Sequence, residues 1–204
     1  MGKSLSSCHL NNQRLINPLE AEVDESAHLI ESTGVTSPYK ISRFHRESHY
    51  YWERLLREGP RLEAFRVLFG DERVDYGQAL MQHCHHGASA DWPERFVSAY
   101  ASAHPWEDWA ETWAHYLHMT DALETAVACG LALQPLRSDE PALPTLVQDG
   151  RLGAFEERLE HWFALTYVLN KLNRSLGLPD GYPFILAPPV LDKLRFVHDM
   201  IAAG

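Results

Sequence analysis

The chain has 204 residues, 45% of them hydrophobic, and a formal net charge of −10 at pH 7, which fits one globular domain with a sizeable core. The acidic balance argues against non-specific binding to nucleic acid or to an anionic membrane, because both need a basic protein surface. No apolar run is long enough to span a membrane, and no signal-peptide stretch is present, so we expect a cytoplasmic protein.

The predicted regular elements are all helices. Residues 1–36 are polar and mixed, and we predict a poorly defined N-terminal arm there, followed by one helical domain over residues 37–204. Apolar spacing, glycines and prolines predict the helices of that domain: Pro38–Glu58, Leu62–Phe69, Val74–Gln82, His104 to about Leu133, Gly153–Leu176 and Pro189–Ile201. Proline-rich residues 134–150 and 178–189 are predicted to be a loop and an extended segment.

The three cysteines, Cys8, Cys84 and Cys129, are far apart in the sequence and odd in number. A disulfide framework is therefore not expected, and the thiols are predicted to be reduced. Cys129 follows a run of small apolar residues, which predicts a buried side chain.

The segment His104–Asp121 is predicted to begin the central helix, because Pro105 and the acidic residues after it suit a helix N-terminus. At about 100° per residue, one face within roughly 80° holds four polar side chains: Glu107, Glu111, His115 and His118. The far side holds apolar residues that can bury the helix: Trp109, Ala110, Trp113 and Leu117. Taken alone, such a polar face is also typical of a solvated helix surface.

The first predicted helix has a second polar face, formed by His45, His49 and Glu53 at four-residue spacing. The run from His83 to His86 also contains metal-binding residue types, but its adjacent spacing does not easily converge on one tetrahedral ion. Exposed histidines at a frayed helix end are the favoured interpretation of that run.

A hydrolytic zinc site needs three protein ligands, usually nitrogen or carboxylate donors, and one open position for water. Two histidines one turn apart on a helix, together with a glutamate from another helix, meet this need. We therefore predict that His45, His49 and Glu107 bind one zinc ion.

The general base of such a site is usually a glutamate directly after the first histidine, and Arg46 occupies that position here. Glu47 comes next, but a regular helix turns it about 200° away from His45. Three possibilities stay open: an irregular helix start that lets Glu47 reach the metal, substitution by Glu53 or Glu111, or metal binding without hydrolysis. Loss of the base would lower the rate by roughly 10²–10⁴-fold.

Several strings of the sequence resemble the bacterial zinc-binding metallopeptidases, a family whose members often have an N-terminal zinc ribbon. The similarity covers roughly residues 16–201 and is most specific in unusual, tryptophan-rich strings. These strings are HYYWE over His49–Glu53, RFVSAYASAHPWEDWAETWAHYLH over Arg95–His118, LNRSLGLPDGYPF over Leu172–Phe184 and LRFVH over Leu194–His198.

The resemblance implies a mainly α, single-domain, zincin-like core of the gluzincin type with little or no sheet. It implies peptide-bond hydrolysis by a metal-activated water, with His45, His49 and one glutamate of the pair Glu107 and Glu111 as zinc ligands. Glu107 is favoured as the ligand and Glu111 as the acceptor for an imidazole N–H, and the reverse assignment stays open.

We expect the catalytic side chains to be Glu47, Glu111 and His115, with Glu47 or Glu111 moving the proton. A donor to the developing oxyanion is expected from His115, His118 or Tyr50.

The chain departs from the family pattern in three places. The family reads Phe-Arg-His-Glu-x-Gly-His before the Tyr-Tyr-Trp string, whereas this chain reads RFHRESH over residues 43–49. The paired cysteines of a zinc ribbon are missing. We also expect most of the upstream segment to be missing, in which a zincin-like fold has its sheet and its substrate-binding edge strand.

These observations lead to three hypotheses. The first is a zinc metallopeptidase that acts on a peptide or protein substrate, which the sequence does not specify. The second is a catalytically impaired, metal-binding relative that acts by binding a partner protein, and Arg46 favours it. The third gives both polar faces a purely structural role, as histidine–carboxylate pairs between two packed helices.

Overall fold

The computed structural model describes residues 38–142 and 154–203. Within these ranges, residues 38–44 and 46 are described by their backbone alone. Within these ranges the α-helices are α1 Pro38–Leu55, α2 Leu62–Phe69, α3 Tyr76–His86, α4 Pro105–Ala128, α5 Phe155–Ser175 and α6 Pro188–Ala202. Two 3₁₀ turns, Trp92–Glu94 and Tyr100–Ala103, lie between α3 and α4, and no β-strand occurs in the described ranges. The expected mainly helical fold is confirmed. The predicted arm over 1–36 lies outside the described residues.

Helix α3 is longer and begins later than predicted. The side chain of Asp75 accepts a hydrogen bond from Gln78 N at 2.7 Å, which caps the helix so that it begins at Tyr76. The helix then continues through His86 and ends at Gly87. The φ of Gly87 is 73°, a left-handed backbone conformation that glycine adopts without strain. The histidine run therefore forms the last turn of α3, and the prediction that this helix ends at Gln82 is wrong.

Helix α4 ends earlier than predicted. Leu131 N bonds to Ala126 O at 2.9 Å, and Gly130 between them has a φ of 66°. This is the hydrogen-bond pattern of a Schellman motif, in which a glycine of positive φ stops the helix. The helix therefore ends at Ala128, and the prediction that it continues to about Leu133 is wrong.

Both cysteines in the described part of the chain, Cys84 and Cys129, are exposed thiols that form no disulfide with each other. The prediction that Cys129 is buried is wrong. Since α4 ends one residue before it, Cys129 lies in the turn that closes the helix and not on the helix's packed face.

The described chain forms two compact units, and the first consists of residues 38–114 and 185–193. Its core is largely aromatic and comes from α1, α2 and the first half of α4: Trp52, Phe65, Phe69, Trp109 and Trp113 are all buried. Phe65 stacks on Phe69 with ring centroids 4.8 Å apart and packs edge-on against Trp109 at 6.1 Å. The predicted burial of the apolar side of α4 is confirmed for Trp109, Ala110 and Trp113.

The second unit consists of residues 115–142, 154–184 and 194–203 of the described chain. Buried side chains of α4, α5 and α6 form its core: Tyr116, Leu123, Phe155, Trp162, Leu194 and Val197. Tyr116 Oη contacts His198 Nδ1 at 2.9 Å, and Trp162 packs edge-on against Tyr182. None of the helices described in either unit is both long and apolar enough to cross a membrane.

Candidate metal site

Helices α1 and α4 of the first unit hold the candidate site. Helix α1 is continuous across His45 and His49, so the two imidazoles lie one turn apart on the same face. The indole N–H of Trp109 on α4 donates to Ser48 O on α1 at 3.0 Å, which ties the two helices together beside the histidines. Helix α4 starts where His104 O accepts from Glu107 N, and this places Glu107 in the first turn.

Three side chains predicted as zinc ligands lie together. His45, His49 and Glu107 each offer one donor atom, and these atoms all lie within 4.8 Å of one another. His45 and Glu107 are buried and His49 is half-buried, and the two imidazole rings meet edge-on with centroids 5.4 Å apart. These residues therefore do not form the solvated helix surface that a polar face often indicates.

His45 lies between two carboxylates. Its Nε2 is 2.9 Å from Glu107 Oε2, and its Nδ1 is 3.2 Å from Glu111 Oε1. Burial of the ring opposes its charge, but the carboxylates of Glu107 and Glu111 outweigh this and raise the pKa of His45 to about 10. In the metal-free protein His45 is thus the positive partner of two buried negative groups.

The carboxylate of Glu107 is only 1% exposed. Tyr76 on α3 donates its hydroxyl to Oε1. Oε2 receives no aligned hydrogen bond from any described residue, although His45 Nε2 lies near it. Burial alone would raise the pKa of Glu107, but His45, His49 and Tyr76 outweigh it and lower this pKa to about 2.

Glu111, one turn after Glu107 on α4, is fully buried. Its Oε1 faces His45 Nδ1, and its Oε2 accepts the hydroxyl hydrogen of Ser98 at 3.1 Å. Ser98 Oγ in turn accepts from Ala101 N, which anchors Ser98 to the 3₁₀ turn Tyr100–Ala103 that follows it. Glu111 therefore faces the imidazole nitrogen of His45 that points away from Glu107, as an orienting carboxylate does.

The donor set fits zinc. A tetrahedral ion with bonds of about 2.1 Å separates its ligand atoms by roughly 3.4 Å, which is the scale of this cluster. Burial lowers the pKa of His49, and the neutral imidazole this favours is the form that binds a metal. The buried carboxylate of Glu107, whose Oε2 faces His45 Nε2, supplies the negative charge that a cation requires.

Other residues predicted near the metal lie outside this cluster. Glu53 is exposed and forms a surface ion pair with Arg57 at 2.6 Å. Tyr50 is 62% exposed. Since α1 is an uninterrupted helix, it places Glu47 about 200° round from His45, and the irregular start that would let Glu47 reach inward is absent over residues 38–55. The catalytic role of Glu47 stays a prediction.

His115 and His118 belong to the second unit. His115 is buried and packs edge-on against Phe184, with ring centroids 4.5 Å apart, and lies 6.1 Å from the ring of Tyr182. His118 is half-buried. The catalytic role predicted for His115 stays a prediction.

Sequence reasoning missed two residues of the site. Tyr76 lies 31 residues before Glu107, and no spacing rule connects the two. Ser98 lies within the tryptophan-rich string, but a lone serine in a turn has no pattern that indicates its contact with Glu111. Both contacts depend on tertiary packing, which periodicity does not describe.

Comparison with known proteins shows the family of the chain. A sequence model of the family described as "Putative zinc-binding metallo-peptidase" matches residues 22–200. The chain belongs to this family. The match includes all three residues of the donor cluster, and the resemblance found in the sequence strings is confirmed.

The relatives include the uncharacterized proteins Rv2568c of Mycobacterium tuberculosis and Mb2598c of Mycobacterium bovis. Each is 40% identical over 206 residues, an alignment that covers 97% of this chain and 58% of the relative. The chain therefore spans less than two thirds of the length of these curated relatives. No solved structure matches the chain.

Proposed function

We propose that the chain is a zinc-dependent metallopeptidase whose zinc is bound by His45, His49 and Glu107. One observation supports this above all. Three side chains of the types that catalytic zinc prefers offer donor atoms within 4.8 Å of one another, on two helices of one unit. Membership of the zinc-binding metallo-peptidase family supports the same ion and the same reaction class.

The contacts of each side chain support its role. Glu111 accepts the Nδ1–H of His45, which leaves Nε2 of the ring to face the ion. Tyr76 occupies Oε1 of Glu107, so that Oε2 faces the imidazoles. This arrangement favours Glu107 over Glu111 as the third ligand, since Glu107 is the carboxylate whose oxygen lies within 4.8 Å of the donor atoms of both histidines, whereas Glu111 faces the other nitrogen of His45.

His45, His49 and Glu107 would hold the ion, which would lower the pKa of a bound water molecule and polarise a peptide carbonyl. A side chain of the protein would accept the proton of that water. Glu47 and Glu111 are the candidate acceptors, and of these Glu111 lies beside the ligand His45. Substitution of Glu111 should therefore lower turnover more than it lowers substrate binding.

One observation favours a second candidate function, which is zinc-dependent binding of a partner protein without hydrolysis. Arg46 occupies the usual position of the general base, and α1 is regular there, so Glu47 cannot take that position by a local distortion. A site of this kind would keep the zinc but lose roughly 10²–10⁴-fold in rate.

Hydrolysis of denatured casein by the zinc-loaded chain separates these two functions. The peptidase proposal predicts cleavage that a chelator abolishes, that added zinc restores, and that His49→Ala lacks. Cleavage equal in His49→Ala and wild type would contradict the proposal. If wild type binds zinc but cleaves nothing, the variant Arg46→Glu is tested next. A gain of cleavage in this variant would show that wild type lacks hydrolysis because Arg46 occupies the general-base position.

A further inference from the structure

Lys193 on α6 is buried in the first unit, although a lysine is rarely buried without a specific partner. Its Nζ donates to Asp108 Oδ2 at 2.6 Å and to Arg95 O at 2.8 Å. It also lies 4.4 Å from the centroid of the Phe96 ring, within the distance of a cation–π interaction. One ammonium group therefore joins three segments of the first unit.

Both partners of Lys193 lie close to the site in sequence. Asp108 directly follows the ligand Glu107 and precedes Glu111 by less than one turn of α4. Arg95 lies three residues before Ser98, the residue that donates to Glu111 Oε2. The ammonium thus holds together the two segments that bring Ser98 and Glu111 into contact.

The segment from Arg95 to Ser98 is packed in place beside Lys193. Val97 and Ser98 are both buried, and the Phe96 ring lies beside the ammonium. Loss of the bond from Lys193 to Arg95 O would release the start of this segment. Ser98, three residues later, would then be held less firmly against Glu111.

We infer that Lys193 is a positioning residue for the metal site, acting through Ser98 and Glu111 on the orientation of His45. The inference rests on the proposed zinc site, and it assigns to α6 a role that neither the sequence strings nor the family match specifies. Loss of contacts behind a metal-bound histidine typically lowers metal affinity about 10–100-fold.

The test is zinc affinity, measured by competition with a chromophoric chelator on the full chain. The main variant is Lys193→Met with Asp108→Leu, because removing both charges avoids leaving one buried charge unpaired. We expect about 10-fold weaker zinc binding, the lower end of the range for direct partners of a ligand, in a chain that still folds, as judged by circular dichroism. Should this pair not fold, Lys193→Gln, which keeps a neutral donor, is measured instead and is expected to weaken binding in the same direction.

The matched control is Val190→Ala, a fully buried apolar residue one turn earlier on α6 in the same unit. It lowers stability by opening a cavity but leaves every bond of Lys193 in place. We expect its zinc affinity to stay within about three-fold of wild type, well below the change expected for the lysine variants.

Ser98→Ala then distinguishes positioning from mere stability. If Lys193 acts through Ser98, the combined variant binds zinc no more weakly than the weaker of its two parents. Additive losses, an unchanged affinity in the lysine variants, or an equal loss in Val190→Ala would each overturn the inference. Absence of zinc binding in wild type would instead overturn the proposed function, and the inference with it.

Discussion

The two halves of the polar face of α4 lie in different environments. In the first unit, Glu107 and Glu111 lie on either side of the imidazole of His45, and all three are buried. In the second unit, His115 on the same helix packs edge-on against Phe184 and Tyr182. One half of the face is thus a set of paired charges, and the other half is aromatic packing.

This difference teaches that helical periodicity determines which residues share a face but not what covers that face. The spacing of Glu107, Glu111 and His115 is regular along the sequence. Their chemistry diverges because α1 supplies a histidine opposite the first two, whereas aromatic rings contact the third. Glu107 and Glu111 therefore lie in an environment of paired charges, which suits a metal ion, whereas His115 lies among aromatic rings.

The largest effect that would sharpen this comparison is expected from substitution of the proposed third ligand, Glu107. Glu107→Gln removes the charge of the buried carboxylate, whose Oε2 lies 2.9 Å from His45 Nε2. We expect zinc affinity to fall by more than the roughly 10–100-fold that contacts behind the ligands provide. Isothermal titration calorimetry measures it, and an affinity equal to wild type would assign the third ligand elsewhere.

A smaller loss is expected for the orienting carboxylate. Glu111→Gln keeps the shape of the side chain but weakens its contact with His45 Nδ1, so zinc should bind about 10–100-fold more weakly. Glu53→Gln is the matched control, because Glu53 is an exposed partner of Arg57 and its change should leave zinc affinity unaltered. If Glu111→Gln abolished binding while Glu107→Gln did not, the reverse ligand assignment would be correct.

The aromatic half of the face is tested by His115→Ala. Removal of this buried ring should lower the free energy of unfolding by about 2 kcal/mol, since its contacts with Phe184 and Tyr182 are lost. Zinc affinity should stay at the wild-type value. Urea unfolding and zinc titration of the same variant measure both quantities, and a loss of zinc affinity at unchanged stability would break the distinction between the two halves.

The smallest effect concerns histidine charge in the second unit. Burial lowers the pKa of His198, whose Nδ1 contacts Tyr116 Oη, below its ordinary value of 6.5. A histidine with a lowered folded pKa stabilises the protein above pH 6.5, and that contribution disappears as the pH falls through the folded pKa. His198→Gln should therefore flatten the decline in stability below pH 6.5. Thermal unfolding across that range checks this, and an unchanged slope would contradict it.

Much of the fold was predictable from the sequence because it depends on local rules. Apolar spacing indicated the helices, and Gly70 stopped α2 where its position predicted. Differences occurred at helix ends, where the side-chain cap of Asp75 and the glycine turn at Gly130 set the boundaries. Such caps shift an end by a few residues without changing the pattern of the helix.

The candidate site was predictable only in part. The four-residue spacing of His45 and His49 and the first-turn position of Glu107 identified the donor cluster. The contacts of Tyr76 and Lys193 were not predictable, since each joins residues far apart in the sequence. The packing of helices against one another determines these contacts, and the periodicity of a single helix does not predict that packing.

The most direct test of the account is the zinc content of the purified chain, determined by mass spectrometry after incubation with the ion and removal of excess. We expect about one zinc per chain in wild type and none in His49→Ala. His85→Ala, which changes an exposed histidine at the end of α3, serves as the control and should keep the zinc. Equal zinc in wild type and His49→Ala, or none in wild type, would contradict a metal site at His45, His49 and Glu107.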